Sequence, residues 1–462
     1  MKNKLILFSL LLSLASSFTF AQPPKDFSFK EWTPGMAWFK NAKLGIFIHW
    51  GLYSVKGISE SWSMYHKRIS FEDYMAQAKG FTAENYNPQQ WAKLFKEAGA
   101  RYAVLTTKHH DGFALWPTKL SHLNVVVKTP AKQDLVGPFC DALRQEGLKV
   151  GLYFSLCDWS HPDYKPVVFA RKGVVNGSYP TDDYPHQGLE NLSPWQRFIR
   201  FYQGQLEELM SQYQPDLLWF DGDWEHSAQE WQAAELRKKL KTMNRNVILN
   251  SRLRGYGDYK TPEQGIPITP PKGPWEFCMT INDSWGYQPK DTNYKSSYQI
   301  IRTFSECLAM GGNLLLDVGP KADGTIPEPQ VQRLKDLGQW IKKHEEAVYQ
   351  TVAGLPWGHF YGPTTLAPDS QTIYLYLLNT PKEFVALKGL HNKIKKIRVV
   401  GQPDSKLKWK ISGGAPWNNI PGVVLINVPE KLLDPFVTVL AVEIEGKVKL
   451  YRAPGHAVQL ND

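Results

Sequence analysis

The sequence predicts an α/β fold in two parts: a (β/α)8-like barrel, then a C-terminal antiparallel β-sandwich. Three observations predict it. From residue 44 to about 350, short apolar runs alternate with amphipathic, helix-patterned stretches. Polar and charged residues stand where successive apolar runs end, which is where a parallel barrel keeps its working groups. After residue 350 the helical period stops, and short β-patterned runs punctuated by Gly and Pro replace it. The chain has 462 residues, too long for one average domain and suited to a large barrel plus a smaller module.

In chain order, residues 1–21 read as a signal peptide. Lys2 and Lys4 form a charged start, and residues 5–14 are an apolar run too short to span a bilayer. Thr19-Phe20-Ala21 offers a cleavage site before Gln22, and no Cys follows to carry a lipid anchor. An exported protein is therefore expected, periplasmic or secreted, with no membrane span. Residues 22–354 are assigned to the barrel. Its strands are expected at 44–50, 102–108, 149–156, 216–221, 246–252, 276–281 and 313–319. Several are apolar on both faces, as parallel strands covered by helices must be. Helices are expected at 88–100, 135–146, 195–213, 228–243, 298–310 and 329–348, each on a 3.6-residue period. Seven strands over some 300 residues suit a barrel better than an open sheet. No Gly-rich phosphate loop follows the first strand, which argues against a dinucleotide fold. Residues 355–462 are assigned to the sandwich, with strands at 372–379, 384–390, 394–400, 406–411, 423–428 and 437–445.

Composition narrows the function. The 17 Trp, 21 Tyr and 22 Phe exceed what a core requires, and exposed aromatic rings stack well on sugars. The net charge of +10 is spread along the chain and forms no basic stripe, so nucleic acid is not an expected partner. Cys140, Cys157, Cys278 and Cys307 are too few for a disulfide framework and too scattered for a zinc site, so buried thiols are expected.

The strand ends supply the chemistry. They read Phe47-Ile48-His49, Lys108-His109-His110-Asp111, Tyr153-Phe154-Ser155, Trp219-Phe220-Asp221 and Asn250-Ser251-Arg252. Packing alone does not require polar groups at five successive strand ends. On an ideal strand His109 and His110 alternate in direction, so one of them is expected to face the core. Asp221 follows four apolar residues, and a carboxylate fixed by a packed strand suits a nucleophile. The histidines lack the HxH or HExxH spacing of a metal site, so no metal and no cofactor is expected.

Four segments resemble those of glycoside hydrolase family 29, the α-L-fucosidases: WFKNAKLGIFIHWGLYSV at 38–55, YAVLTTKHHDGFALW at 102–116, DLLWFDGDWE at 216–225 and PWEFCMTINDSWGY at 274–287. A fifth, GGNLLLDVGPKADGTIP at 311–327, matches the segment that closes the barrel in that family. The resemblance covers nearly the whole mature chain. It implies a retaining exo-α-L-fucosidase acting on fucosylated oligosaccharides or glycoconjugates through a covalent fucosyl-enzyme. It makes Asp221 the nucleophile and His49, His109 and His110 ligands of the fucose hydroxyls. Trp62, Tyr153, Trp219, Arg252 and Trp285 are the further sugar contacts it implies. The Glu60-Ser61-Trp62-Ser63 segment departs from the family's Glu-Trp-Tyr form. Two glutamates compete for the general acid/base. Glu276 lies in the recognisable Trp-Glu-Phe-Cys segment, but at the start of a strand. Glu263 lies in the loop after the fifth strand, on the expected active face, and is preferred.

Overall fold

The computed structural model describes residues 34–164, 183–185 and 188–453; the expected signal peptide lies outside them. Seven parallel strands form one sheet: β1 (Leu44–Ile48), β2 (Tyr102–Lys108), β3 (Lys149–Ser155), β4 (Leu217–Asp221), β5 (Ile248–Leu249), β6 (Glu276–Thr280) and β7 (Asn313–Val318). Their order is β5-β4-β3-β2-β1-β7-β6. Residues 258–264 fill the gap between β5 and β6. Asn250 bridges Tyr259 on one side, while Lys260 bridges Trp275 and Glu263 bridges Cys278 on the other, all in parallel sense. The stretch expected to be a loop is thus the eighth stave. Thr261-Pro262 lowers its strand propensity and hides it from a periodicity reading.

Period-2 alternation divides the strand side chains between two cores. Leu44, Ile46 and Ile48 of β1 and Leu314, Leu316 and Val318 of β7 face outward, into the layer shared with the helices. Phe47, Tyr102, Val104, Tyr153, Leu217, Trp219, Tyr259, Cys278 and Leu315 fill the barrel interior. Large rings fit there because some facing positions are small. A Cβ on Gly45 would sit 2.3 Å from the Tyr102 ring. The short helix Ala37–Ala42 plugs the lower end with Phe39 and Ala42. Asn313 holds this plug by donating from Nδ2 to the Phe39 carbonyl at 2.8 Å.

The outer layer contains α1 (Pro88–Glu97), α2 (Val136–Gln145), α3 (Pro194–Tyr213), α4 (Ala233–Met243), α5 (Ser297–Ala309) and α6 (Glu328–Lys343). Ser193 and Ser296 start α3 and α5 with capping boxes closed by Gln196 and Gln299. Helix α4 begins five residues later than periodicity predicts, after Gln232 in a left-handed conformation.

Beyond residue 350 the sheets are antiparallel. One has the order β12-β15-β10-β9-β8, from Ile394–Val399, Thr438–Ile444, Thr372–Leu377, Thr364–Leu366 and Val352–Ala353. The other is β11-β14-β13, from Val385–Leu387, Val423–Ile426 and Trp409–Ser412. Ile373, Leu375, Leu387, Ile397, Ile426, Leu440 and Val442 pack between them. The opposite face of the larger sheet, with Tyr374, Tyr376, Val439 and Ala441, joins the barrel's helical core. Strands β8 and β9 were not expected, being too short to register as runs. The four cysteines are buried free thiols.

Candidate active site

At the C-terminal ends of the strands His49, His109, His110, Tyr153, Trp219, Asp221, Arg252 and Trp285 form one cluster of mutual contacts, taken as the wall of the candidate cavity. Asp221 ends β4 and is largely buried. Tyr153 Oη donates to its Oδ2 at 3.0 Å, and Arg252 Nη1 donates to its Oδ1 at 2.8 Å. His110 Nε2 lies 3.7 Å from Oδ2. Burial would raise the Asp221 pKa, but the charge and hydrogen bond of Arg252 and the Tyr153 hydrogen bond outweigh it and hold the carboxyl below its usual range. The group is an anion aimed into the cavity.

Arg252 stacks on Trp219, its guanidinium carbon 4.6 Å from the ring centroid. Its second amino group, Nη2, donates to Glu263 Oε2. One guanidinium therefore spans both carboxylates. Glu263 stands near the upper end of the eighth stave, and its side chain is 38% exposed. Glu276 is placed differently. It begins β6 at the lower end of the barrel and is fully buried. Tyr102 Oη donates to it, as does Trp219 Nε1 at 2.9 Å. Burial pushes its pKa up to about 7. Trp219 and the interior rings separate it from the cavity.

All three histidines are held at Nδ1. His49 pairs with Asp317 Oδ1 at 2.7 Å, His109 with Ser61 Oγ, and His110 with Ser155 Oγ at 2.6 Å. Ser155 already donates its only proton to the Cys157 carbonyl, 2.7 Å away. His110 must therefore supply the proton of its own bond, which leaves Nε2 as an acceptor beside Asp221. Burial keeps the rings neutral, lowering His49 to about 3 and His110 to about 4 and His109 well below its usual value. His109 and His110 both face the cavity, contrary to the alternation expected of them. Strand β2 has a register irregularity between Thr106 and Lys108 and ends at Lys108, so neither histidine obeys the pleat. His109 stacks on Tyr153 with centroids 5.6 Å apart, and His110 turns towards Asp221.

Aromatic rings wall the rest. Trp285 packs on His49 with centroids 4.8 Å apart, next to Phe47. Trp62 lies edge-on to His110 and nearly parallel to Trp224, with 13° between the ring planes. Sequence reasoning placed Ser155 at a strand end without giving it a role, and it missed Ser61, Trp224 and Asp317 as parts of the site. Asp317 carried the signal that had marked Asp221, a carboxylate closing an apolar run. Glu60 was also missed. It is buried beneath the cavity and accepts from the Gly286 amide at 2.7 Å.

A parallel barrel whose upper face presents two carboxylates, neutral histidines and aromatic walls has the equipment of a glycoside hydrolase. Residues 20–346 match the Alpha-L-fucosidase family model. The human tissue alpha-L-fucosidase is 33% identical over 389 residues, 76% of this chain and 78% of its own length. An alpha-L-fucosidase of Branchiostoma floridae is 33% identical over 75% of this chain and 79% of its own. Among solved structures, alpha-L-fucosidase isoenzyme 1 of Paenibacillus thiaminolyticus superposes with a TM-score of 0.77 at 33% identity, covering 89% of this chain and 99% of that one. A family 29 alpha-L-fucosidase of Bacteroides thetaiotaomicron, trapped as a covalent intermediate with 2-fluoro-fucosyl fluoride, has a TM-score of 0.77 at 26% identity, covering 90% and 97%. The chain belongs to the α-L-fucosidases of glycoside hydrolase family 29.

Proposed function

We propose that this α-L-fucosidase is a retaining exo-enzyme. It removes terminal α-linked L-fucose from oligosaccharides or glycoconjugates by double displacement, with Asp221 as nucleophile and Glu263 as general acid/base. The observation that carries the reading is the Asp221–Arg252–Glu263 bridge. It holds one carboxylate as a buried anion and a second within the span of one guanidinium, as a retaining pair requires. The covalent intermediate captured in the Bacteroides relative supports it.

In the first step Asp221 attacks the anomeric carbon while protonated Glu263 gives its proton to the departing glycosidic oxygen. In the second, Glu263 takes a proton from water as the water oxygen displaces Asp221. His49, His109, His110 and Tyr153 address the ring hydroxyls, and Arg252 keeps Asp221 ionised. Trp62, Trp219 and Trp285 wall the sugar. Burying the fucose methyl against them contributes about 0.8 kcal/mol, a margin over the hydroxymethyl of a galactose-type sugar. The chemistry needs no metal or cofactor. The barrel, expected at 22–354, is taken as the catalytic unit, and the sandwich, whose larger sheet already includes β8 at Val352–Ala353, as its support. Residues 1–21 are taken to direct export to a periplasm or the exterior.

Asp221→Gly tests the assignment. It should lower turnover of an aryl α-L-fucoside by several orders of magnitude, and azide should partly restore it with formation of β-fucosyl azide. Near-normal turnover without azide would overturn the nucleophile.

A further inference from the structure

Asp317 is a buried carboxylate that the proposed reaction does not use. It lies on β7 opposite Phe47 of β1, two residues before His49, and it is 1% exposed. Its Oδ1 meets Nδ1 of His49 at 2.7 Å. Its Oδ2 is buried and has no hydrogen-bond partner among the described residues. We propose that Asp317 is a positioning residue: through Nδ1 it fixes both the ring plane and the tautomer of His49, so that His49 meets the sugar with an Nε2–H donor.

The inference rests on the reading of His49 as a sugar ligand. It follows from hydrogen-bond bookkeeping. Two arrangements fit a 2.7 Å contact between a neutral imidazole and a carboxyl group. Either the ring donates to an ionised Asp317, or a neutral Asp317 donates to the ring. The ionised form would leave a charged oxygen, Oδ2, buried and unpartnered, which is among the most costly arrangements a protein interior can hold. The neutral acid leaves only a carbonyl oxygen there. The surroundings point the same way. Burial and the Glu60 carboxylate raise the Asp317 pKa well above normal, and the His49 backbone N–H and the Lys295 charge do not cancel them. A neutral Asp317 puts its proton on the Asp317–Nδ1 contact and the ring proton on Nε2. His110 is opposite, because Ser155 can only accept from it. The two histidines then present complementary faces, a donor at His49 and an acceptor at His110, so a hydroxyl facing His49 must accept and a hydroxyl facing His110 must donate. This suits a site that must fix a ring by the direction of its hydroxyls.

The test is a double-mutant cycle read in KM and kcat on an aryl α-L-fucoside, with 15N spectra of histidine-labelled enzyme. His49→Ala should raise KM about tenfold or more. Asp317→Leu should do nearly the same. The double variant should be no worse than His49→Ala alone, because Asp317 has nothing left to hold. Additive losses would overturn the proposal, whereas a His49→Ala variant with unchanged KM and kcat would instead refute the sugar-ligand reading and this inference with it. If Asp317→Leu does not fold, Asp317→Asn and its double with His49→Ala serve. The amide can still donate to Nδ1, so Asp317→Asn alone should stay within about threefold of wild type, and a tenfold loss that persists without His49 would count against the proposal. In the 15N spectrum the ring assigned by its absence in His49→Ala should carry its proton on Nε2; a proton on Nδ1 would reverse the tautomer and reject the proposal.

Discussion

Two glutamates thirteen positions apart have opposite fates, and the difference is depth along the barrel axis. Glu263 stands at the upper rim, partly exposed, on the guanidinium that also holds Asp221. Glu276 is sealed at the lower end under Trp219 and Tyr102. Glu263→Ala should therefore cripple hydrolysis of natural fucosides but spare the first step with a nitrophenyl fucoside, whose leaving group needs little protonation. If both substrates lose equally, the acid is elsewhere. Glu276 should show itself in stability. Its pKa is pushed up to about 7 from 4.5 by burial. Between those values the folded protein keeps a proton that the unfolded chain has released, so its stability falls as pH rises through the window. Glu276→Gln removes that dependence. Relative to wild type, the variant should gain on the order of 3 kcal/mol between about pH 4.5 and 7. Chemical denaturation at the two pH values measures it, and parallel curves would count against the neutral acid.

Among the elements, the eighth stave is the least regular, and it carries Glu263, the proposed acid/base. It pairs through single bridges on both sides. Its approach to β5 is as close as backbone allows: a Cβ on Gly257 would lie 2.0 Å from the Asn250 carbonyl oxygen and 2.6 Å from the Ser251 amide nitrogen. These are backbone atoms and cannot swing aside, so Gly257→Ala must push the stave away. It should cost about 1–3 kcal/mol of stability, as other overpacked sites do, and reduce kcat on natural fucosides more than on a nitrophenyl fucoside. A thermal melt and paired assays would decide. An unchanged melting temperature would show that the stave has slack. The neighbouring β5 is only two residues long, and Asp258 extends its pairing by accepting from the Leu249 amide at 2.9 Å while holding Arg237 and Lys241.

At the scale of the whole molecule, the sandwich is the outer wall of two barrel helices. Trp340 of α6 donates from Nε1 to the Val437 carbonyl at 2.8 Å, and Tyr298 of α5 donates to Leu378 at 2.7 Å. Arg398 holds Glu346 with two bonds of 2.7 Å. Around these lies one apolar core shared by helix and sheet. Trp340→Ala should cost roughly 3–5 kcal/mol. Below its lowered melting temperature it should leave KM for an aryl fucoside unchanged, since none of the site contacts given above involves a sandwich residue. A shift in KM without loss of stability would mean that the sandwich shapes the site.

What the sequence by itself determined was the material carried by local order: the succession of strands and helices, the change to antiparallel sheets near residue 350, and the polar strand ends at His49, Asp221 and Arg252. These follow from period and from position along a strand, both written in neighbouring residues. The family resemblance of the same segments then implied the class of substrate. The tertiary structure alone decided three things. It made residues 258–264 a stave, because only closure of the ring supplies partners for a segment that contains proline. It turned both His109 and His110 into the cavity, because the strand ends before them. It joined His49 to Asp317 and Arg252 to both Asp221 and Glu263, contacts that depend on which strands close the barrel. The pairing of His49 with Asp317 spans 268 residues, and no local pattern encodes a partner that far away.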